Sequence, residues 1–305
     1  MTTQSSALEY PGLIGQHGSN KRRLASQEQA CNKRVRLTSL AAFLLLVSTG
    51  TVMAQERSPE HDAFEITLSA GVVSAPAYRG SDDYQVSVLP NVTLKYQDRL
   101  SVSFRGIKYS AISRGGWVAG PVLSYDFGRE EEIDDNPFAI STDDSTDLIG
   151  LGDVDGTLQL GGFIEYEIRS LSAKLELHQG LDGGHDGLFG EASISYRGQL
   201  TAVGRPAFYS IGPALSFADD AYNSAFFDIS SVQSEASGLS PFNAEGGISS
   251  FGLHASLFMP LSQTTSLVAF GQYDQLAGDV ADSSIVTERG SKDQVTTGFF
   301  VNYRF

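Results

Sequence analysis

The chain is poor in cysteine, in positive charge and in long apolar runs. Cys31 is its one cysteine in 305 residues. It precedes the apolar run Leu37 to Val47, so it does not stand where a lipid-anchor cysteine would. A mature chain starting after Ala54 would hold no thiol. That excludes disulfides, thiolate metal sites and cysteine nucleophiles. No segment approaches the roughly 18 consecutive apolar residues of a spanning helix. Basic residues number 21 against 36 acidic ones, a formal net charge of −15. The first 54 residues carry six of the basic and two of the acidic side chains, which leaves 15 against 34, a net of −19. This balance argues against nucleic acid as a partner. It suits divalent cations or basic partners, or simply solubility. The chain also has no EF-hand spacing, no G-x-S-x-G elbow and no phosphate loop.

Residues 33–54 read as a signal peptide. Lys33, Arg34 and Arg36 precede the apolar run, which only Thr38 and Ser39 interrupt, and Val52-Met53-Ala54 is an acceptable cleavage site. Residues 1–32 form a polar leader ahead of this signal. They are expected to lie outside the native start, with an unusually long signal as the alternative. Residues 55–305 are expected to form a single domain.

Strand-period alternation recurs along that domain. Phe64, Ile66, Leu68, Ala70 and Val72 share one face. Val86, Val88, Val92, Leu94 and Tyr96 share another, opposed by Gln85, Ser87, Asn91, Thr93 and Lys95. Leu158, Leu160, Ile164, Tyr166 and Ile168 oppose Thr157, Gln159, Glu165 and Glu167. After Arg169-Ser170, Leu171, Ala173, Leu175 and Leu177 oppose Ser172, Lys174, Glu176 and His178, a hairpin with a very short turn. The final VTTGFFVNYRF sets Phe299, Val301, Tyr303 and Phe305 on one face and ends on an aromatic residue. Tyrosine and phenylalanine recur near strand ends, as at Tyr96, Tyr125, Phe127, Tyr166, Tyr196, Tyr273 and Tyr303. Strands this long, apolar on one side and wet on the other, predict an all-β fold: a transmembrane antiparallel up-and-down β-barrel of the outer-membrane type. The expected count is about 12 strands, with ten to 14 open. Two stretches are weak, 100–112 and 222–230. Taken as one strand each, they put short turns on opposite sides of the membrane; if 222–230 is loop instead, the second conflict disappears and the count drops.

The loops carry the specific sequence. P-x-Y-x-G-S-D-x-Y stands at Pro76, Tyr78, Gly80, Ser81, Asp82 and Tyr84. GLGDVDG follows, with Gly150, Gly152 and Asp153. G-D-x-A-D-S-x-I-V comes late, at Gly278, Asp279, Ala281, Asp282, Ser283, Ile285 and Val286. LDGGHDG, FADDAYNSAFF and SGLSPFNAEGG lie between them. In this order, with the aromatic final strand, they resemble the MipA/OmpV family of outer-membrane barrels. Val280 and Ser284 depart from the family's usual Ala and Pro, and the acidic insert around 130–147 is longer than usual. The resemblance implies a barrel of the Gram-negative outer membrane, whose terminal strand is read by the barrel assembly machinery. It also implies a non-enzymatic scaffold that links a lytic transglycosylase to a penicillin-binding protein and so couples murein cleavage to synthesis. Other members are described as antigens, adhesins or porin-like proteins. A fold does not fix a function, so a small-solute channel stays open as the alternative.

No cofactor, metal or catalytic residue is expected. Residues 130–155 hold ten acidic side chains (Glu130, Glu131, Glu132, Asp134, Asp135, Asp143, Asp144, Asp147, Asp153, Asp155) and no Lys or Arg. Hard cations want such oxygen ligands, but a solvated loop explains the run as well. Asp182, His185 and Asp186 read as turn residues rather than a metal site. Lys95, Glu165, Glu167, Lys174, Glu176 and His178 are expected to face the lumen, where polar side chains belong. Arg304 joins them in the channel reading. A lipid hydrolase using His178 with an acid and a serine is the least favoured reading. Asn91-Val92-Thr93 matches a glycosylation acceptor but lies mid-strand.

Overall fold

A β-barrel in lipid turns its apolar side chains outward and pairs every strand with two neighbours. The computed structural model of the protein describes residues 64–132, 138–142 and 146–305. The leader, the signal peptide, Asp134, Asp135, Asp143 and Asp144 lie outside the described residues.

The chain order is β1 (Phe64–Pro76), β2 (Tyr84–Tyr96), β3 (Leu100–Ser103), β4 (Gly106–Tyr109), β5 (Ile112–Arg114), β6 (Trp117–Asp126), β7 (Ala139–Thr142), β8 (Thr157–Ile168), β9 (Leu171–Asp182), β10 (Leu188–Ala202) and β11 (Arg205–Ala218). Then come helices α1 (Asp220–Phe227) and α2 (Ser231–Ser237), strands β12 (Gly247–Pro260) and β13 (Thr265–Leu276), helices α3 (Gly278–Asp282) and α4 (Ser284–Arg289), and β14 (Asp293–Arg304). Around the ring each strand pairs antiparallel with its neighbours, β6 pairing with β4 and β8, and β14 closes on β1 through Thr67↔Arg304 to Ser74↔Thr297. The ring has twelve strands. β5 continues β4 along the edge of β6, and β7 adds to the top of β2.

The expected count holds, yet two local readings behind it do not. The stretch 100–112 is a hairpin, because β3 and β4 pair from Leu100↔Tyr109 to Ser103↔Gly106. The stretch 222–230 is no wall strand: it is helical as far as Phe227, where Asp219 caps α1 by accepting the Tyr222 N–H at 2.9 Å, and Ile229 then makes only an isolated bridge to Phe242. One strand is gained and one lost, and both conflicts over turn sidedness vanish. Tight turns near Asp98, Gly115-Gly116, Arg169-Ser170, Val203-Gly204 and 261–264 all lie at one end. The long loops 77–83, 127–156, 219–246 and 277–292 lie at the other, with the shorter 183–187.

β2 carries an irregular edge. β3 pairs it at Leu94 to Tyr96, and β7 pairs it at Gln85 to Ser87. The Val88 N–H reaches the Phe138 carbonyl, so Pro90, two residues on, turns its missing donor to the same side. Proline suits a place where no ladder bond is made.

Alternation sorts the strand side chains. Ile66, Leu160, Ile194, Leu253 and Phe299 stand exposed on the outside. Aromatic pairs ring the short-turn end: Phe64–Tyr96, Trp117–Tyr166, Tyr196–Tyr209 and Tyr303–Phe305, with centroids 4.6, 4.4, 6.2 and 4.9 Å apart. Such a girdle marks the membrane interface. The largest fully buried apolar side chains are Phe227, Leu148, Ile229, Leu239, Ile285, Val122, Val280 and Val286, and all but Val122 belong to loops. The hydrophobic core therefore sits over the long-loop end and not within the wall.

Candidate functional site

The cap is built from the loop motifs. One cluster joins Tyr78, Leu148, Leu151, Ile229, Leu239 and Ile285, drawn from four different loops. A second joins Phe227, Ala244, Leu276, Val280, Ala281 and Val286. Each buried aliphatic or aromatic side chain contributes roughly 1.5–3 kcal/mol. That packing holds helices of five to eight residues, which are too short to persist alone. α2 adds a capping box between Ser230 and Gln233 and ends on Gly238 in the left-handed region.

The first and last motifs meet. Gly80 donates its N–H to Gln294 Oε1 at 3.0 Å, and Gln294 Nε2 donates to the Ser81 carbonyl at 3.1 Å. Gly80 sits at φ +100, where a Cβ would come within 2.6 Å of Val286 Cγ2, so glycine is required twice over. The Tyr78 hydroxyl donates to the Arg289 carbonyl at 3.3 Å. Its pKa is raised by burial and then by Asp147. The Tyr84 hydroxyl accepts the Val295 N–H at 3.2 Å, and Pro76 closes β1 opposite it. Ser283 Oγ donates to the Phe227 carbonyl at 2.8 Å. Asp279 accepts the Glu245 N–H at 2.8 Å, and Asp282 pairs with Lys292 at 3.0 Å. Gly278 takes φ +56 and Ala281 is buried. In the middle motif, Asp153 accepts the Glu131 N–H at 2.8 Å, Gly150 packs on the Ala236–Ser237 backbone and Gly152 takes φ +75. Here the motif residues hold loops to one another.

Beneath the cap, Arg79 reaches the wall. Its Nη2 donates to Ser216 Oγ at 2.9 Å, and its guanidinium lies 5.7 Å from the Phe189 ring centroid. Burial lowers its pKa, with Tyr222 and Asp274 acting in opposition. Tyr222 is pushed up to about 12, first by burial and then by Asp126. Arg129 donates to the Phe226 carbonyl at 2.5 Å, and burial lowers its pKa too. The His185 side chain is fully buried, edge-on to Tyr222 at 4.9 Å and 3.5 Å from Asp126 Oδ2. It meets Asp126 rather than its sequence neighbours Asp182 and Asp186, which are exposed.

The inner wall carries a charged cluster. Glu176 Oε2 takes Lys108 at 2.7 Å and Lys174 at 2.6 Å, while Glu176 Oε1 stands 3.2 Å from His178 Nε2. His178 Nδ1 stands 2.9 Å from Ser124 Oγ. Serine, histidine and acid in series are the order of an acyl-transfer relay. Here two lysines already hold the carboxylate, and the Ser124 hydroxyl also donates to Gln159 Oε1 at 3.1 Å. These contacts fit a wall network at least as well. Sequence reasoning missed Ser124 and Lys108, although their parity opposite Leu123 and Ile107 marks both as inward. At the short-turn mouth, Arg197 Nη2 pairs with Glu165 Oε1 at 2.8 Å, and Arg197 also pairs with Glu167. Glu65 lies 3.9 Å from Lys95 and 3.6 Å from Arg304.

Asp82, Asp83 and Asp147 bring carboxylate oxygens within 4.8 Å of one another at the cap. They are the one group of this kind among the described residues, and surface acids cluster commonly without an ion. No helix among the described residues is long and apolar enough to cross a membrane.

The family model described as MltA-interacting protein MipA matches residues 68–305. No curated protein matches the sequence. Among solved structures, the chain is similar to an outer-membrane channel from Pseudomonas putida F1, at 14% identity and a TM-score of 0.37, covering 84% of this chain and 100% of that one. It is similar to an anion-selective porin from Comamonas acidovorans, at 12% and 0.30, covering 79% and 98%. It is also similar to OmpT of Vibrio cholerae, at 11% and 0.30, covering 81% and 99%.

Proposed function

The chain belongs to the MipA/OmpV family, and from that premise we propose that it is a non-enzymatic scaffold which holds a murein-cleaving lytic transglycosylase and a penicillin-binding protein together. It is a β-barrel of the Gram-negative outer membrane. The observation that carries the scaffold reading is the cap. Loops from around the ring bury a shared hydrophobic core at the long-loop end, and Arg79 and Tyr222 are packed beneath it. Loops packed together over that end favour binding over passage.

Short turns of outer-membrane barrels face the periplasm, and murein lies there. The scaffold surface is then the rim formed by the tight turns. Cross-linking in intact cells followed by purification of the barrel should recover a lytic transglycosylase or a penicillin-binding protein. Repeated recovery of neither, with a heat-modifiable and therefore folded barrel, rules the scaffold out. The charged inner wall around Lys108, Lys174 and Glu176 favours the second reading, a small-solute channel. In that case Glu165, Glu167, Lys95 and Arg304 would set selectivity at the mouth.

A further inference from the structure

The β10–β11 hairpin extends past the rim. β9 ends its pairing with β10 at Leu171↔Tyr196, and the last bond across is the Arg197 N–H to the Ser170 carbonyl. β10 nevertheless runs on to Ala202, paired only with β11 through Ala202↔Arg205. Residues 198–202 add roughly 16 Å of strand at about 3.3 Å per residue. Gly198 is level with Tyr209, and residues 199–202 lie beyond Tyr196 and Tyr209, a pair of the aromatic girdle, and so on the periplasmic side of it.

One edge of this extension is free. Residues of one parity turn their N–H and C=O groups to the same neighbour. Arg197 bonds toward β9, so Gln199 and Thr201 present their backbone groups to that side too. Among the described residues no strand lies beside them. An unpaired edge is a template for a further strand. The tip is unusual as well. Val203 holds φ +51 and is 93% exposed, and a β-branched residue there is strained. Beside the tip, Arg169 and Arg205 are exposed, and neither makes an ion pair among the described residues.

We propose that the free edge of β10 at Gln199 and Thr201 docks an extended, acidic segment of the periplasmic partner as an added strand. This rests on the scaffold reading and gives that reading its binding site. A second copy of this chain fits poorly, because edge-to-edge pairing would bring the Arg169 and Arg205 of both copies together.

The test measures binding of the soluble periplasmic forms of a lytic transglycosylase and a penicillin-binding protein to the mature barrel in nanodiscs. Gln199→Pro and Thr201→Pro each remove an outward N–H and leave the bonds to β11 in place. The paired charge reversal Arg169→Glu with Arg205→Glu changes side chains only, keeps every backbone donor, and serves if the proline variants misfold. The expected result is a loss of at least tenfold in affinity for either proline variant, and a similar loss, steeper at low salt, for the charge reversal. Unchanged affinity in folded variants overturns the edge while the scaffold stands. No binding by the unaltered barrel overturns both. A barrel that self-associates in detergent, and loses this with Thr201→Pro, assigns the edge to a second copy instead.

Discussion

The wall and the cap of this barrel solve opposite problems with the same residue types. In the wall, Ile66, Leu160, Ile194 and Phe299 stand on the outside, and Glu176, His178 and Ser124 point in. In the cap, Phe227, Ile229, Ile285 and Val286 are sealed inside, and Asp220, Glu235 and Glu288 are turned out. The wall's apolar contacts are supplied by lipid, so its stability comes from closing every ladder. The cap works like a small soluble domain, held by close packing. Substitutions of one kind should therefore act very differently in the two regions.

The largest contrast is expected from truncating buried and lipid-facing side chains. Phe227→Ala should destabilise the cap by about 3–5 kcal/mol and open 219–246 to limited proteolysis. Ile194→Ala on the outer wall should leave protease resistance unchanged. Equal sensitivity of the two would break the comparison.

Alkaline pH should separate the regions next. Tyr222 is pushed up to about 12, above the ordinary tyrosine value of about 10. The folded cap holds this proton more tightly than the unfolded chain does. The stabilisation is therefore complete below pH 10 and is lost as pH rises toward 12, at most roughly 2–3 kcal/mol. Tyr78 shifts in the same direction. Tyr222→Phe should flatten much of that slope in a titration of cap proteolysis, and an unchanged slope would exclude this tyrosine as its cause.

Within the lumen, Glu176→Gln leaves Lys108 and Lys174 facing each other without their shared carboxylate. A loss of about 2 kcal/mol is expected in denaturant titrations of the refolded barrel, with the cap's protease resistance retained. The smallest effect belongs to the rim. Val203→Gly relieves a left-handed valine and should stabilise the hairpin by about 1 kcal/mol. A loss of stability there would show that the exposed valine has a partner in the barrel itself.

The wall was legible in the sequence because contact with lipid writes period two into every long strand. Leu158 to Ile168 and Phe299 to Phe305 could be read residue by residue. The cap was legible only as motifs. Its helices are too short to show a helical period, so 222–230 read as a weak strand. The cues present were Asp219 before α1 and the Ser230–Gln233 spacing of α2, both local capping signals. The hairpin at 100–112 was hidden because β3 and β4 hold four residues each, too few for alternation to show a reversal. Lys174, Glu176 and His178 share one parity on β9, so their common side of the strand was legible. The meeting of Ser124 with His178 was not, because it joins strands 54 residues apart in sequence.

The central claim is that the packed cap leaves no path for solutes and that the barrel's work is binding at the tight-turn rim. Liposome swelling with sugars of graded size, using the refolded mature protein, tests this most directly. On a sample whose heat-modifiable folding is verified, the account predicts no swelling with any sugar. Swelling that declines as the sugar grows would contradict it and make the protein a channel.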